Sequence, residues 1–480
     1  MRSPISFLYG NLVFGATLDD AWAAFSLPSS SYEWLCEEAK RTRLLTLMGA
    51  LEAMEADLQI LRVGRRWDLG GYLRDLEGAE TGSHARANRT YAREHAERLR
   101  TLDAWQPSVL FLVSLRDPER DVASYVSRAA EQHPREWLRS IGRALSIRDR
   151  RLLRSLELER FRVRADQVHA RLEDFLSARP ARGIELQWLV RRAFCRGLGE
   201  PILDGLHEPR ALAFERNGEA LLAPLEGDVV RWMDGRVEHR GRSLRIESEL
   251  GVSWQAQLVL GALPERATFP SPRVELMFAA VESLPFAVDL SLNARFLPNE
   301  LALRIARKRV QDADQIVRAE SDGDQGVSDI GYQRTQEARD LLAYLQASSR
   351  PPLLRATLAV AIGAADEQQL SERVEICRRA YGEIRLHRPL GDQLALFIQQ
   401  LPGQRTRVAG YDDTLTTEQV AAMMPTATHV VGSRGGFYLG HTLSGSRQPV
   451  RFNLREGSER DRNTAILSLG ALGSGKTTLA

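Results

Sequence analysis

The 480-residue sequence predicts an α+β N-terminal region followed by the start of an α/β P-loop NTPase domain. Two observations carry this. Segments with the period of a strand and segments with the period of a helix alternate through the first four hundred residues. The stretch "NTAILSLGALGSGKTTLA", Asn463 to Ala480, then places a phosphate-loop pattern behind an apolar run. The composition, 43% hydrophobic and 27% charged, is that of an ordinary globular chain.

The opening "ISFLYGNLVFG" reads as a β-hairpin with Gly10-Asn11 at its turn, and "DAWAAFSLP" as a further strand. Ser30 and Glu33 have the spacing of a capping box. The helix behind them carries Leu44, Leu47, Met48, Leu51 and Met54 on one stripe, the pattern of a core-packing face. "ADLQILRV" is a strand. Gly70-Gly71 and the stretch from Gly78 to Gly82 break the chain. A polar helix near 85–102 leads to the strand "SVLFLVSL".

Residues 119–178 read as mainly helical. Between Arg135 and Arg182, 13 arginines stand against 7 acidic residues. Such a surplus suits either a phosphate-bearing partner or a solvated helix laced with ion pairs. The interleaved acids, and the lack of an aromatic stacking array, favour the second.

Residues 183–215 give the short helix "LQWLVRRAFCRGL" and a turn-rich stretch. "GDVVRWMDGRVEHRGRSLRIE" alternates as a hairpin with Asp234-Gly235 at its turn. The prolines of "PERATFPSP" mark a boundary or long loop, and "RVELMFAAVESLPFAVDLSLNARFL" supplies two strands. A helix over 299–319 carries Leu303, Ala306, Val310, Ala313 and Val317 at helical spacing. "SDGDQG" looks like a calcium loop, but Gln333 stands where a glutamate is required, so it reads as a flexible loop. The helix "TQEARDLLAYLQAS" follows.

A strand–helix–strand–helix run comes next. "ATLAVAIG" sets Leu358, Val360 and Ile362 on one face. Leu370, Val374, Cys377 and Tyr381 share one helical stripe. "EIRLHR" and "GDQLALFIQQLPG" complete the run. Residues 404–427 read as a protease-accessible linker. "HVVGSRGGFYLGHTLSGSRQPVRFNL" reads as short strands and turns. Its "GSRGG" is a hairpin turn rather than a second phosphate loop, because no lysine follows.

The motif itself is formed by Gly470, Gly475, Lys476 and Thr477, with Gly473 as a third flexible point. A loop that wraps an anion in backbone N–H groups needs residues without Cβ. The lysine reaches the β- and γ-phosphates, and the hydroxyl of Thr477 is placed for Mg2+. Of 65 basic residues only Lys40, Lys308 and Lys476 are lysine. In so arginine-biased a chain, a lysine in the motif slot points to a need for its compact ammonium.

Other chemistries have little support. Cys36, Cys195 and Cys377 are odd in number and far apart, and read as reduced, buried thiols. The nine histidines form no metal-ligand spacing, and there is no nucleophile elbow. No apolar run approaches a membrane span, and the start lacks a signal peptide's core. A cytoplasmic protein is expected, or one held at a membrane only through partners. A net charge of +2 gives no global attraction to nucleic acid.

Four stretches carry a resemblance to a known family: "LDDAWAAFSLPSSSYEWL", "PPLLRATLAVAIGAADEQQLSERV", "RPLGDQLALFIQQLPG", and "GGFYLGHTLSGSRQPVRFNL" leading into "GALGSGKTT". The order resembles the TraC/TrbE-like ATPases of conjugative type IV secretion systems. The pattern along the chain divides it into an α+β subdomain over 1–118, a helical and β-hairpin region over 119–265 and an α/β sandwich subdomain over 266–403, and the resemblance implies that the N-terminal region docks on the secretion apparatus. A linker over 404–427 and the start of a RecA-like P-loop domain over 428–480 would complete the plan. It implies ATP and Mg2+ as ligands. Gly470, Ala471, Leu472, Gly473, Ser474, Gly475, Lys476, Thr477 and Thr478 would form the cradle, with Lys476 and Thr477 catalytic. It also implies a hexamer and partner subunits of a secretion or conjugation membrane complex. The family's acidic Walker B residue, sensors and arginine finger would lie beyond Ala480, so this segment by itself is expected to be inactive. Two other readings fit the sequence: a non-catalytic docking or assembly module with a vestigial phosphate loop, and a DNA translocase of the HerA/FtsK type.

Overall fold

A computed structural model describes residues 3–78, 85–116, 152–216, 218–233, 235–261, 268–321, 329–408, 410–433 and 435–453. The chain divides into two compact units, each discontinuous in sequence. One comprises Met1–Arg65 and Pro107–Thr428, the other Arg66–Gln106 and His429–Ala480. The fold of the described residues is α+β, with a large, mostly antiparallel sheet.

That sheet forms the first unit. Its strands run in the order Phe7–Tyr9, Leu12–Phe14, Ala21–Leu27, Trp105–Ser114, Leu58–Arg66, Asp289–Leu297, Leu353–Ala364, Gly251–Leu260, Ser243–Ser248 and Arg236–Arg240. It therefore draws on the stretches 1–118, 119–265 and 266–403 together, and the expected subdivisions do not separate into bodies of their own. The opening hairpin turns at Gly10 as read from sequence, pairing Phe7 with Phe14.

The two faces of the central strands differ in chemistry. Register places Ile60 opposite Leu292 and Leu292 opposite Leu358, and sets Arg62 opposite Leu290 and Leu290 opposite Val360. Successive residues point to opposite faces, so apart from Arg62 this face is apolar. The helix Glu367–Tyr381 covers it, burying the stripe Leu370, Val374, Cys377 and Tyr381. The helix starts because Asp366 accepts a hydrogen bond from the Gln369 N–H at 2.8 Å, and it stops at Gly382.

The opposite face carries Gln59, Asn293, Ser291, Gln255 and Gln257, all buried. Their amides hold the chain that lies over them. Gln59 donates to the Gln399 and Leu401 carbonyls, both at 3.0 Å, and accepts from the Gly403 N–H at 2.9 Å. Asn293 donates to the Gln404 carbonyl at 2.7 Å. Gln393, at the start of the helix Gln393–Gln399, exchanges hydrogen bonds with the Gln257 backbone at 2.7 and 3.0 Å. Nearby, the chain after the helix Gly183–Phe194 passes against the sheet with no clearance. A Cβ on Gly363 would lie 2.3 Å from the Arg196 carbonyl, and one on Gly197 would lie 2.2 Å from the Gly363 carbonyl carbon. Only glycine permits that approach.

Several readings change. Residues 404–427 are not a linker. Arg405 donates to Asp20 at 2.9 Å and Asp57 at 2.6 Å, and Asp413–Thr416 pairs with the start of the Leu353–Ala364 strand. The helix Thr417–Ala422 has a Thr416/Gln419 capping box, and Val420 and Ala421 are fully buried. Ser30 caps no helix. It lies in a two-residue strand paired in parallel with Ala427–Thr428, and the helix Glu37–Met54 begins after Cys36. Its stripe is buried at Leu44, Leu47, Leu51 and Met54. The hairpin Arg236–Arg240/Ser243–Ser248 turns at Gly241-Arg242, and Asp234 of the expected turn lies outside the described residues. The 273–297 stretch holds one strand and the short helix Ala279–Ser283 rather than two strands. Helices Asn299–Ser321 and Asp329–Leu345 stand as expected. They pack at their base through Leu297, Ala302, Ala306, Leu345 and Leu353. The helix Ser155–Leu176 is present, while 119–151 and the 322–328 loop lie outside the described residues.

Arg62 closes the unit. Its guanidinium is 1% exposed and donates to the Pro425 carbonyl at 2.8 Å, the Ala427 carbonyl at 2.7 Å and Glu282 at 2.5 Å. Burial pulls its pKa down from the ordinary arginine value, and the Glu282 carboxylate opposes that shift. Replacing Glu282 by Ala leaves an uncompensated buried charge, with an expected cost of about 3–5 kcal/mol in urea unfolding. The double substitution Arg62→Met with Glu282→Leu should recover most of it. An unchanged midpoint for Glu282→Ala would show that Arg62 does not depend on this partner.

Candidate functional site

The phosphate-loop residues Gly470 to Thr478 all lie outside the described residues, which end at Asn453. What is described is the part of the second unit from which the chain runs toward them. It consists of the helices Leu69–Gly78 and Ala85–Arg100 and the hairpin Phe437–His441/Pro449–Phe452.

Gly70 and Gly71 do not break the chain. Asp68 accepts from the Gly71 N–H at 2.8 Å, and the Asp68 carbonyl accepts from the Tyr72 N–H at 3.1 Å. An aspartate at that place satisfies donors of the first turn, which lets a helix start through two glycines. Tyr72, buried, then packs against Trp67, with ring centroids 5.3 Å apart, and edge-on to His95 at 6.0 Å. His95 in turn lies 5.3 Å from the Tyr438 ring. Burial, with Arg98 nearby, holds the His95 pKa below its ordinary value. The Tyr72 hydroxyl accepts from the Tyr438 N–H at 3.1 Å, which ties the hairpin to the helices.

The hairpin's own loop is a polar knot. The Thr442 and Ser444 hydroxyls lie 2.7 Å apart, those of Ser444 and Ser446 3.0 Å apart, and the Gln448 N–H donates to the Thr442 hydroxyl at 2.9 Å. The "GSRGG" segment is not a turn. Gly432 bridges Arg451 in parallel, and the Ser433 N–H donates to the Arg451 carbonyl at 2.8 Å. Its glycines are needed for approach. A Cβ on Gly436, whose φ is +91°, would lie 2.0 Å from the Phe452 carbonyl oxygen. The strand Pro449–Phe452 is thus flanked on both sides, which fixes the backbone up to Asn453.

Elsewhere the charged clusters hold structure. Arg196 donates to Asp289 at 2.7 Å and to Gln255 at 3.2 Å, all three buried. In the arginine-rich stretch, Arg164 donates to the Leu115 carbonyl, Arg171 to the Ala53 carbonyl, and Arg162 to Glu159. Arg179 and Arg182 share Glu185. Glu185 is pushed up by burial, but the two arginines outweigh this and hold it at about 2. Among the described residues no group of His, Cys, Asp or Glu could hold a metal ion, and no helix is long and apolar enough to cross a membrane. Cys195 and Cys377 are buried, as expected, but Cys36 is exposed.

Sequence reasoning missed the buried arginines and amides. A signal existed for Arg62, a cation inside the apolar run "LQILRVG". None existed for Gln59 or Asn293, which look like the polar half of an alternating strand. No protein-family model matches the chain, and no curated protein matches it.

Two outcomes follow from this geometry. Gly436→Ala should push the Pro449–Phe452 strand away, with loss of amide-exchange protection over 437–452 while the Asp289–Leu297 strand stays protected. Retained protection would show that the close approach is dispensable. Burial raises the thiols of Cys195 to about 11 and Cys377 to about 12. At pH 8 a disulfide-exchange reagent should therefore titrate Cys36 alone in the native protein and all three cysteines in denaturant.

Proposed function

We propose that the protein binds ATP with Mg2+ through Gly470–Thr478 and belongs to the class of TraC/TrbE-like motor ATPases of conjugation and type IV secretion. The observation that carries this reading is "GALGSGKTT" itself, with one of the chain's three lysines in the motif slot. The donor set fits the ligand. Three glycines allow backbone N–H groups to face an anion, Lys476 supplies an ammonium, and Thr477 supplies a hydroxyl for the metal. Bound Mg2+ would neutralise charge on the β- and γ-phosphates. Lys476 would orient the terminal phosphate and stabilise charge that grows on it. Ala465, Ile466, Leu467 and Leu469 supply the apolar run that a buried parallel strand before such a loop requires. The P-loop NTPase fold of 428–480, of RecA-like type, is part of the same proposal. So are assembly as a hexamer, work at the inner face of a membrane complex, and coupling of hydrolysis to assembly or transport.

The direct test is equilibrium binding of a fluorescent ATP analogue in the presence of Mg2+. Saturable binding is expected. Lys476→Ala removes a charge-assisted contact of about 1.5–3 kcal/mol and should weaken binding by about 10–100-fold. Lys476→Arg should fail similarly, because a planar guanidinium does not fit the cradle of an ammonium. Equal affinity for all three proteins would rule out Gly470–Thr478 as the nucleotide site.

A further inference from the structure

The first unit contains a cavity of about 360 Å3 beside the helix Gly183–Phe194, lined among others by Arg191, Asp204, Leu206, His207, Arg231 and Trp232. It is separate in sequence from Gly470–Thr478. Its wall is built rather than incidental. The His207 N–H donates to the buried Gln187 side chain at 2.9 Å, and Trp232 Nε1 donates to the His207 carbonyl at 2.9 Å. The His207 backbone is therefore pinned from both sides.

Two buried polar atoms on this wall lack hydrogen-bond partners among the described residues, and an exposed guanidinium lies beside them. Arg191 is braced through Nη1, which donates to the Ile202 carbonyl at 3.0 Å and lies 3.5 Å from Glu249, but its buried Nε–H has no acceptor. Nε2 of His207 is buried with no hydrogen bond. Its nearest acid is Asp228 at 3.9 Å, and that carboxylate is already taken by Arg210 at 2.9 Å. The Arg231 guanidinium has no hydrogen bond or ion pair among the described residues. The buried Arg191 Nε–H can only donate and so requires an acceptor, while the exposed Arg231 guanidinium stands beside it ready to donate to the same group. The acceptor that pays best against buried N–H donors is an anionic oxygen. Asp204 is the one acid among the lining residues, against two arginines.

We propose that this cavity binds an oxyanion, a phosphate or carboxylate group of a small molecule, between Arg191, His207 and Arg231. The test uses the 480-residue chain carrying Lys476→Ala, which weakens any phosphate binding at the nucleotide loop, and the Arg231 and His207 variants are made in that same background. Inorganic phosphate and acetate are titrated separately by calorimetry. Saturable binding at one site per chain is expected. Arg231→Gln, an exposed position whose change leaves the fold intact, should weaken it by about tenfold or more. His207→Gln should weaken it as well. Phosphate alone binding would assign a phosphate-bearing ligand, and acetate binding as tightly would assign a carboxylate. Absence of saturable binding by either anion, or binding unchanged in Arg231→Gln and His207→Gln, would overturn the proposal and leave water as the partner of the orphaned atoms. Failure of the nucleotide reading would show only in ATP binding and would leave these titrations unaffected.

Discussion

Arg62 sits in the middle of the sheet and reaches three stretches far apart in sequence: its own strand, the short helix at Ala279–Ser283, and the backbone at 425–427. A charge in that position is held by the acceptors around its two terminal nitrogens, while its Nε has no partner among the described residues. Taking it out of water costs several kcal/mol, which the Glu282 carboxylate and the two carbonyls offset together. The rest of the unit follows from this demand. The 425–427 carbonyls must face inward, so Ala427–Thr428 lies alongside Ser30–Ser31, and the helix Thr417–Ala422 is drawn against Glu37–Met54.

On the opposite face, amides stand beside an apolar cluster that includes Leu61, Val63, Phe397 and Leu401. The chain over 399–404 is irregular and would bury carbonyl groups with no ladder to receive them. Gln59 and Asn293 supply the missing donors from the sheet, and Gln393 and Gln400 complete the set from above through Gln257. Methyl groups in these places would cover the same area but leave the carbonyls unpaired. Hydrogen bonds also fix one position of the overlying chain, where an apolar contact would permit sliding. The stretch "RPLGDQLALFIQQLPG", which contributed to the family resemblance, owes its glutamines to this seam.

Legibility in the sequence tracked locality. The helix over Glu367–Tyr381 could be read to its buried residues, because its cap and four-residue stripe are all within it. The hairpin at Gly10 was equally local. Residues 404–427 read as a linker because their polar side chains find partners such as Asp20, Asp57 and Glu52, hundreds of positions away. Ser30 had the spacing of a cap, but a strand partner at Ala427 decided its role. "GSRGG" looked like a turn since glycine clusters usually are; here the glycines serve a close approach to Arg451 and Phe452. The phosphate-loop pattern is the most local of all, nine consecutive residues, and it lies outside the described residues. The buried arginines and the cavity at His207 depend on packing that no short window contains.

The second unit joins two segments that flank the longer stretch of the first, Pro107–Thr428: its helices belong to Arg66–Gln106 and its hairpin to the chain after His429. A ribosome adding about 5–20 residues each second needs about fifteen seconds to a minute to cover the intervening stretch. Throughout that time Tyr72 and His95 have been made and Tyr438 has not. The nascent helices must survive with their aromatic side uncovered, at the point in synthesis when apolar surface most invites capture by chaperones or by neighbouring chains.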